Sequence, residues 1–193
     1  MNGVVASGSK AHLLGYVRSL RHCRGRSLKT KYRMRDLAHD SGEYLLALCN
    51  TRSLTLLNTR VEHISEDEFR ICFSAFRQTL TLLSLGSFAT SFSAFVTLVD
   101  YFPNIATLEL GSIALEPDEG PVPPLSRPLR GKLYVYKLHA NSLEFFYQFT
   151  KLDLEYEELV IGPVAETKLL QGILRISAGT VKFLRLDAGF HRE

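Results

Sequence analysis

Six histidines, three cysteines and twenty acidic residues are the groups in this 193-residue chain that could support acid–base, nucleophilic or metal chemistry. Their spacing decides whether they do. A zinc hydrolase needs two histidines on one helical face, as in HExxH, and a structural zinc site needs paired CxxC ligands. An acyl-transfer serine sits in a GxSxG elbow, and a nucleotide is cradled by a GxxxxGK loop. None of these four patterns occurs in the chain. His63 and His139 stand without a nearby partner and are expected to be surface or turn residues rather than bases. The acidic run Asp153, Glu155, Glu157 and Glu158 lacks the alternation of carboxylates around a glycine turn that a hard cation uses, so it is expected to be a solvated approach to a strand. Cys49 and Cys72 lie among apolar neighbours and are expected in the core. With Cys23 they make an odd set without paired spacing, which favours a reducing compartment, cytosol or nucleus. The expectation is a protein that is not an enzyme, with no catalytic residue, cofactor or metal.

Function must then reside in a surface, and the elements that would carry it follow from a repeat. The pattern apolar-x-x-apolar-x-apolar is complete at Leu80, Leu83 and Leu85, at Ile105, Leu108 and Leu110, and at Val181, Leu184 and Leu186. Its last two positions recur at Leu54 and Leu56, Leu133 and Val135, and Leu159 and Ile161. The central apolar residues fall at 54, 83, 108, 133, 159 and 184, so the steps are 29, 25, 25, 26 and 25 residues. A period in this range belongs to leucine-rich repeats, in which each unit is a short strand and a returning helix.

The intervening segments fit that scheme. Ser65 and Glu68 form a capping box, followed by Phe69, Cys72, Phe73 and Phe76 at helical spacing. Phe92, Phe95, Val96 and Val99 mark a second helix, and Pro103 halts the chain before the next strand. Asn141 and Glu144 start a third, carrying Leu143, Phe146 and Tyr147, and Leu169, Leu170, Ile173 and Leu174 mark a fourth. Residues 116–130 hold five of the seven prolines and cannot be helical. They are expected to form a rigid extended crossover, the alternative being a polyproline ligand. Short strands alternating with helices must run parallel, so the fold class is α/β: a leucine-rich-repeat solenoid with a curved parallel sheet and helices on its convex side.

Composition sets the remaining bounds. No apolar run approaches the roughly 20 residues of a membrane-spanning helix. Residues 1–35 carry nine Lys and Arg and no acid, while the remaining 14 basic and 20 acidic residues leave a charge of −6 there. The domain division expected is a basic, partly disordered lead-in over 1–50, with room for one irregular first repeat, and a repeat domain of about six strand units over 51–193. The basic arm has two alternative uses, a nucleic-acid contact and a mitochondrial transit peptide.

Within the repeats, the stretches FSAFRQTLTLLSL, FSAFVTLVDYFPNIATLEL, LEPDEGPVPPLSRPLRGKL and KLDLEYEELVIGP resemble the leucine-rich-repeat region of fungal, mushroom-type F-box-like proteins. The likeness covers residues 50–188, with YVRSLR at 16–21 as a candidate earlier strand. LTLLNTRVEHISEDEF is similar to the repeat type of F-box proteins, with Thr59 where Cys or Asn is usual. The resemblance implies that the repeats bind a protein substrate for a cullin-type ubiquitin ligase. Docking to a Skp-type adaptor would need an F-box elsewhere, because residues 1–50 contain no LPxE-type segment. A degenerate or truncated repeat protein without ligase docking is the alternative.

If the leucines point inward, the side chains between them line the opposite face of the sheet. One per strand, the middle row is Thr55, Ser84, Glu109, Tyr134, Val160 and Arg185, flanked by Leu57, Lys132, Tyr136, Glu158, Phe183 and Asp187. Aromatic and Arg anchors among mixed charges are the composition of a protein interface. The partner-binding residues expected are Glu109, Lys132, Tyr134, Tyr136, Glu158, Phe183, Arg185 and Asp187. A protein is the expected partner, a membrane is not, and nucleic acid is the lesser expectation.

Overall fold

A computed structural model describes residues 18–23, 32–33, 48–61, 70, 73–118, 121–136, 143–162, 171–175 and 179–186. Seven strands form one sheet in which every pair is parallel: β1 (Ser19–Cys23), β3 (Ser53–Leu57), β5 (Leu82–Gly86), β7 (Thr107–Leu110), β9 (Leu129–Val135), β10 (Leu154–Ile161) and β11 (Phe183–Leu186), in that spatial order. The fold is thus α/β with a parallel sheet and few helices. The seventh strand, β1, falls inside the basic lead-in and pairs Leu20 with Leu54.

The apolar spacing of the sequence becomes an unbroken row in space. Leu54, Leu83, Leu108, Leu133, Leu159 and Leu184 pair in succession, and beside them run Leu56, Leu85, Leu110, Val135, Ile161 and Leu186. In β3, β5, β7, β9 and β10 these residues are buried, none more than 1% exposed. The last strand breaks the rule: Leu184 and Leu186 are 44% and 52% exposed, against the expectation that all six pairs enter the core. A strand at the end of a sheet has a neighbour on one side only, and its inward side chains lose the cover that the next strand would give.

A second sheet, not expected from the sequence, accompanies the first. After β3 and β5 the chain turns through Asn58 (φ 53°) and Ser87 (φ 49°), left-handed conformations that redirect it sharply. Gly111 and Ser112 occupy the corresponding place after β7. Beyond each turn lies a short strand, β4 (Thr59–Val61), β6 (Phe88–Ser91) and β8 (Ile113–Glu116), and with β2 (Tyr32–Arg33) these form a four-stranded parallel sheet in the order β2-β4-β6-β8. An ion pair from Arg60 Nε to Glu116 Oε1, 2.7 Å, joins β4 to β8.

Helices close the core behind the large sheet. Helix α1 (Phe92–Tyr101) starts at Ser91, whose hydroxyl accepts a bond from the Ala94 amide at 3.2 Å, while Asp118 accepts one from the Ser93 amide at 2.9 Å. Phe92, Phe95, Val96 and Val99 are all buried, as their spacing predicts. Of the helix expected after Ser65, the described part is helical residues Arg70 and Phe73 and a 3-10 turn at Ser74–Phe76; Ser65, Glu68, Phe69 and Cys72 lie outside the described residues. Helix α2 (Leu143–Phe149) buries Phe145, Phe146 and Phe149, and leaves Tyr147 60% exposed, which corrects its assignment to the buried face. The aromatic-rich LEFFYQF has no clean stripe, and packing against α1 selects the face: Phe145 meets Phe95 edge-on at 4.8 Å. Residues 171–175 are helical, with Ile173 buried, whereas Leu169 and Leu170 lie outside the described residues, as does Asn141. The described residues of the proline-rich crossover include no helix, and Asp100 Oδ1 ties the crossover to α1 by accepting bonds from the Ser126 amide (2.8 Å) and hydroxyl (2.7 Å). Among the described residues no helix is long and apolar enough to cross a membrane.

Candidate interaction surface

The face of the large sheet turned away from α1 and α2 carries the residues between the leucines. Strand pairing aligns Thr55, Ser84, Glu109, Tyr134, Val160 and Arg185 across β3 to β11, the middle row expected from spacing. A flanking row aligns Ser53, Leu82, Thr107, Lys132, Glu158 and Phe183. The two halves of this face differ. From β3 to β5 it carries Ser53, Thr55, Leu57, Leu82 and Ser84, with no charge among them; from β7 onward Glu109, Lys132, Tyr134, Glu158, Phe183 and Arg185 bring charges and aromatic rings. Val160 keeps its place in this row but is only 5% exposed, a short side chain aligned between Tyr134 and Arg185.

A backbone irregularity sets the geometry of the charged half. Leu154 and Tyr156 of β10 are both buried, and strict alternation would send Glu158 inward with them. Instead the pairing of β9 with β10 shifts between Tyr156 and Glu158, so that Gly131 faces Tyr156 and Lys132 faces Glu158, with Glu157 as the extra residue. Gly131 makes this possible. Its φ is +93°, and a Cβ there would strike the Ala106 carbonyl. The bulge turns Glu158 to the outer face, where one carboxylate oxygen lies 2.6 Å from Lys132 Nζ and the other accepts the Tyr134 hydroxyl at 2.9 Å. The Tyr134 and Tyr136 rings stack at 6.2 Å.

Each titration is moved by this contact. Lys132, then Tyr134, hold the Glu158 carboxyl below its usual range, and Glu158 raises the Lys132 ammonium and the Tyr134 phenol. At neutral pH the cluster therefore holds a fixed carboxylate, a fixed ammonium and a neutral phenol donating to the carboxylate. Around it stand Tyr136 and Phe183, 38% and 53% exposed, with exposed Arg185 and half-buried Glu109. Asp187 lies outside the described residues.

The other groups that could do chemistry are placed as follows. Within the acidic run, Glu155 meets Arg130 at 2.7 Å and Glu157 meets Lys182 at 3.1 Å in largely solvent-exposed pairs, besides the contact of Glu158 with Lys132. Cys49 is exposed, which corrects its assignment to the core. His63, His139 and Cys72 lie outside the described residues. Among the described residues no cluster of three His, Cys, Asp or Glu could hold a metal. A cleft of about 750 Å³ opens on the helix side between the 3-10 turn, α1 and Pro123–Pro124, where Arg77 lies 4.9 Å above the Tyr101 ring. Two buried polar atoms, Arg127 Nε and Tyr156 Oη, lack a hydrogen-bond partner among the described residues, and burial pushes the Tyr156 phenol well above its ordinary range.

No protein-family model matches this chain, and no curated protein or solved structure matches it either.

Proposed function

We propose that the chain is a leucine-rich-repeat solenoid that binds a protein on the helix-free face of its large sheet, acting in the cytoplasm or nucleus by recognition and not by catalysis. One observation carries this reading. The bulge at Glu157 assembles Lys132, Tyr134 and Glu158 into a hydrogen-bonded polar cluster, flanked by the exposed rings of Tyr136 and Phe183, on the side opposite the helices. Rigid aromatics bordered by fixed charges bind proteins at low cost in side-chain entropy. The nearly constant step between leucines, kept in register across six strands, supports the repeat architecture. The resemblance to fungal F-box-like repeats supports a more specific role, presentation of a substrate to a ubiquitin ligase, with the Skp-type adaptor reached through an F-box outside residues 1–50.

The test compares partners of the tagged full chain with those of Tyr136→Ala and Arg185→Glu. A protein bound by the parent chain should lose at least about tenfold in affinity with either variant, the effect of roughly 1.4 kcal/mol at an anchor position, while both variants melt where the parent does. Binding unchanged by both substitutions would remove the face from the function. Co-purification of a Skp-type adaptor decides the ligase role separately.

A further inference from the structure

We propose that the interior behind the large sheet binds one halide ion, chloride in a cell, between the Arg127 guanidinium and the Tyr156 hydroxyl. The site lies apart from the outer face, and the inference holds whichever partner that face binds. Tyr156 is 1% exposed and stands on β10 opposite Gly131, which sets no side chain beside its ring. Arg127 lies in the proline-rich crossover, two residues before β9, where its Nη2 donates to the Phe102 carbonyl. Arg127 Nε and Tyr156 Oη are both shut off from solvent, and neither has a hydrogen-bond partner among the described residues. The charge of Arg127 nevertheless acts on the Tyr156 phenol, so the two groups share one region of the interior. Few buried polar atoms go without a partner, and two in one region mark a site for something that serves both.

The chemistry of the two atoms selects the ligand. A guanidinium Nε–H can only donate, and burial holds the phenol in its neutral form with a proton to give. Both therefore call for an acceptor. Charge narrows the choice, because no carboxylate pairs with Arg127 among the described residues, and Asp100, which meets the same crossover, is engaged by Ser126. A bridging water would accept both bonds but would leave the positive charge uncompensated and add two protons in need of acceptors of their own. An anion accepts both bonds and neutralises the charge at once. Since neither atom meets solvent, that anion must shed its water, which costs less for a singly charged halide than for phosphate or sulfate. So held, the ion fastens the crossover to β10 from within, as Asp100 and Ser126 fasten it to α1 from outside.

Unfolding midpoints of the purified full chain, measured while chloride replaces gluconate at constant ionic strength, read the site by linkage. The parent's midpoint should rise along the series. Tyr156→Phe keeps the ring and the net charge, so subtracting its series removes the general effect of the salt on the surface. Both Tyr156→Phe and Arg127→Lys, which keeps the charge without Nε, should bind chloride at least about tenfold more weakly, and each should lose the parent's chloride-dependent rise. Equilibrium dialysis against radiolabelled chloride should count one more ion on the parent than on Tyr156→Phe. Parallel series for parent and Tyr156→Phe would overturn the proposal, and a loss of stability in Tyr156→Phe that is equal in chloride and gluconate would do so in favour of a bridging water. A Tyr156→Phe chain more stable than the parent in chloride would likewise overturn it, as relief of an unpartnered hydroxyl.

Discussion

Replacing Leu108 by Ala removes the central side chain of the central strand of seven, where Leu83 and Leu133 pair on either side and all three are at most 1% exposed. Held from both flanks, the site has little freedom to collapse, and the loss should fall in the range of about 2 to 5 kcal/mol found for buried leucines. That is a large part of the roughly 5 to 15 kcal/mol by which a domain is stable, and it should lower the melting midpoint by several degrees. Glu109→Ala, one residue on, alters the outer face and should change stability by no more than about 0.5 kcal/mol. Urea unfolding followed by circular dichroism, with the slope unchanged, measures both. A loss under about 1 kcal/mol for Leu108→Ala, or an equal loss for Glu109→Ala, would refute the inward and outward assignment of the strands.

Gly131→Ala should lose more than about 1 kcal/mol, because the left-handed backbone and the Ala106 carbonyl both reject a Cβ; a denaturation midpoint at the parent value would contradict the bulge geometry. The depressed pKa of Glu158 predicts a stabilisation that is present above the ordinary carboxylate value and lost as pH falls through the lowered one, and Glu158→Gln should lack that acid-side loss. The raised pKa of Lys132 acts at the other end: its contribution is complete below 10.5 and disappears as pH rises through the raised value. Midpoints measured across both limbs test this, and parallel profiles for parent and variant would sink it.

The inward rows were legible because burial repeats at a fixed chain separation: Leu83, Leu108, Leu133 and Leu159 are spaced evenly in sequence and adjacent in space. The same counting located Tyr134, Lys132 and Glu158. It did not show that these three bond to one another, since that depends on a one-residue bulge. A signal was present: Leu154 and Tyr156 alternate in one phase, Leu159 and Ile161 in the other, and a phase change within a strand marks a bulge. The second sheet was hidden because its strands follow the first after one or two residues, and only the left-handed turns at Asn58 and Ser87 separate them. Tyr147 and Cys49 failed differently. Their neighbours are apolar in sequence, but exposure is set by which face meets α1 or solvent, and that is a property of packing. The exposure of Leu184 likewise reflects position at the sheet's end and leaves no trace in its own repeat.

On the proposed reading, the outer face of the sheet is where a partner binds. A photo-crosslinking amino acid at Tyr136, on the outer face, compared with the same group at Tyr147, on the exposed side of α2, tests it most directly. In cells expressing the full chain, Tyr136 should yield a discrete cross-linked protein that Tyr147 does not. Capture from Tyr147 alone, or equal capture from both, would place recognition elsewhere and contradict the account.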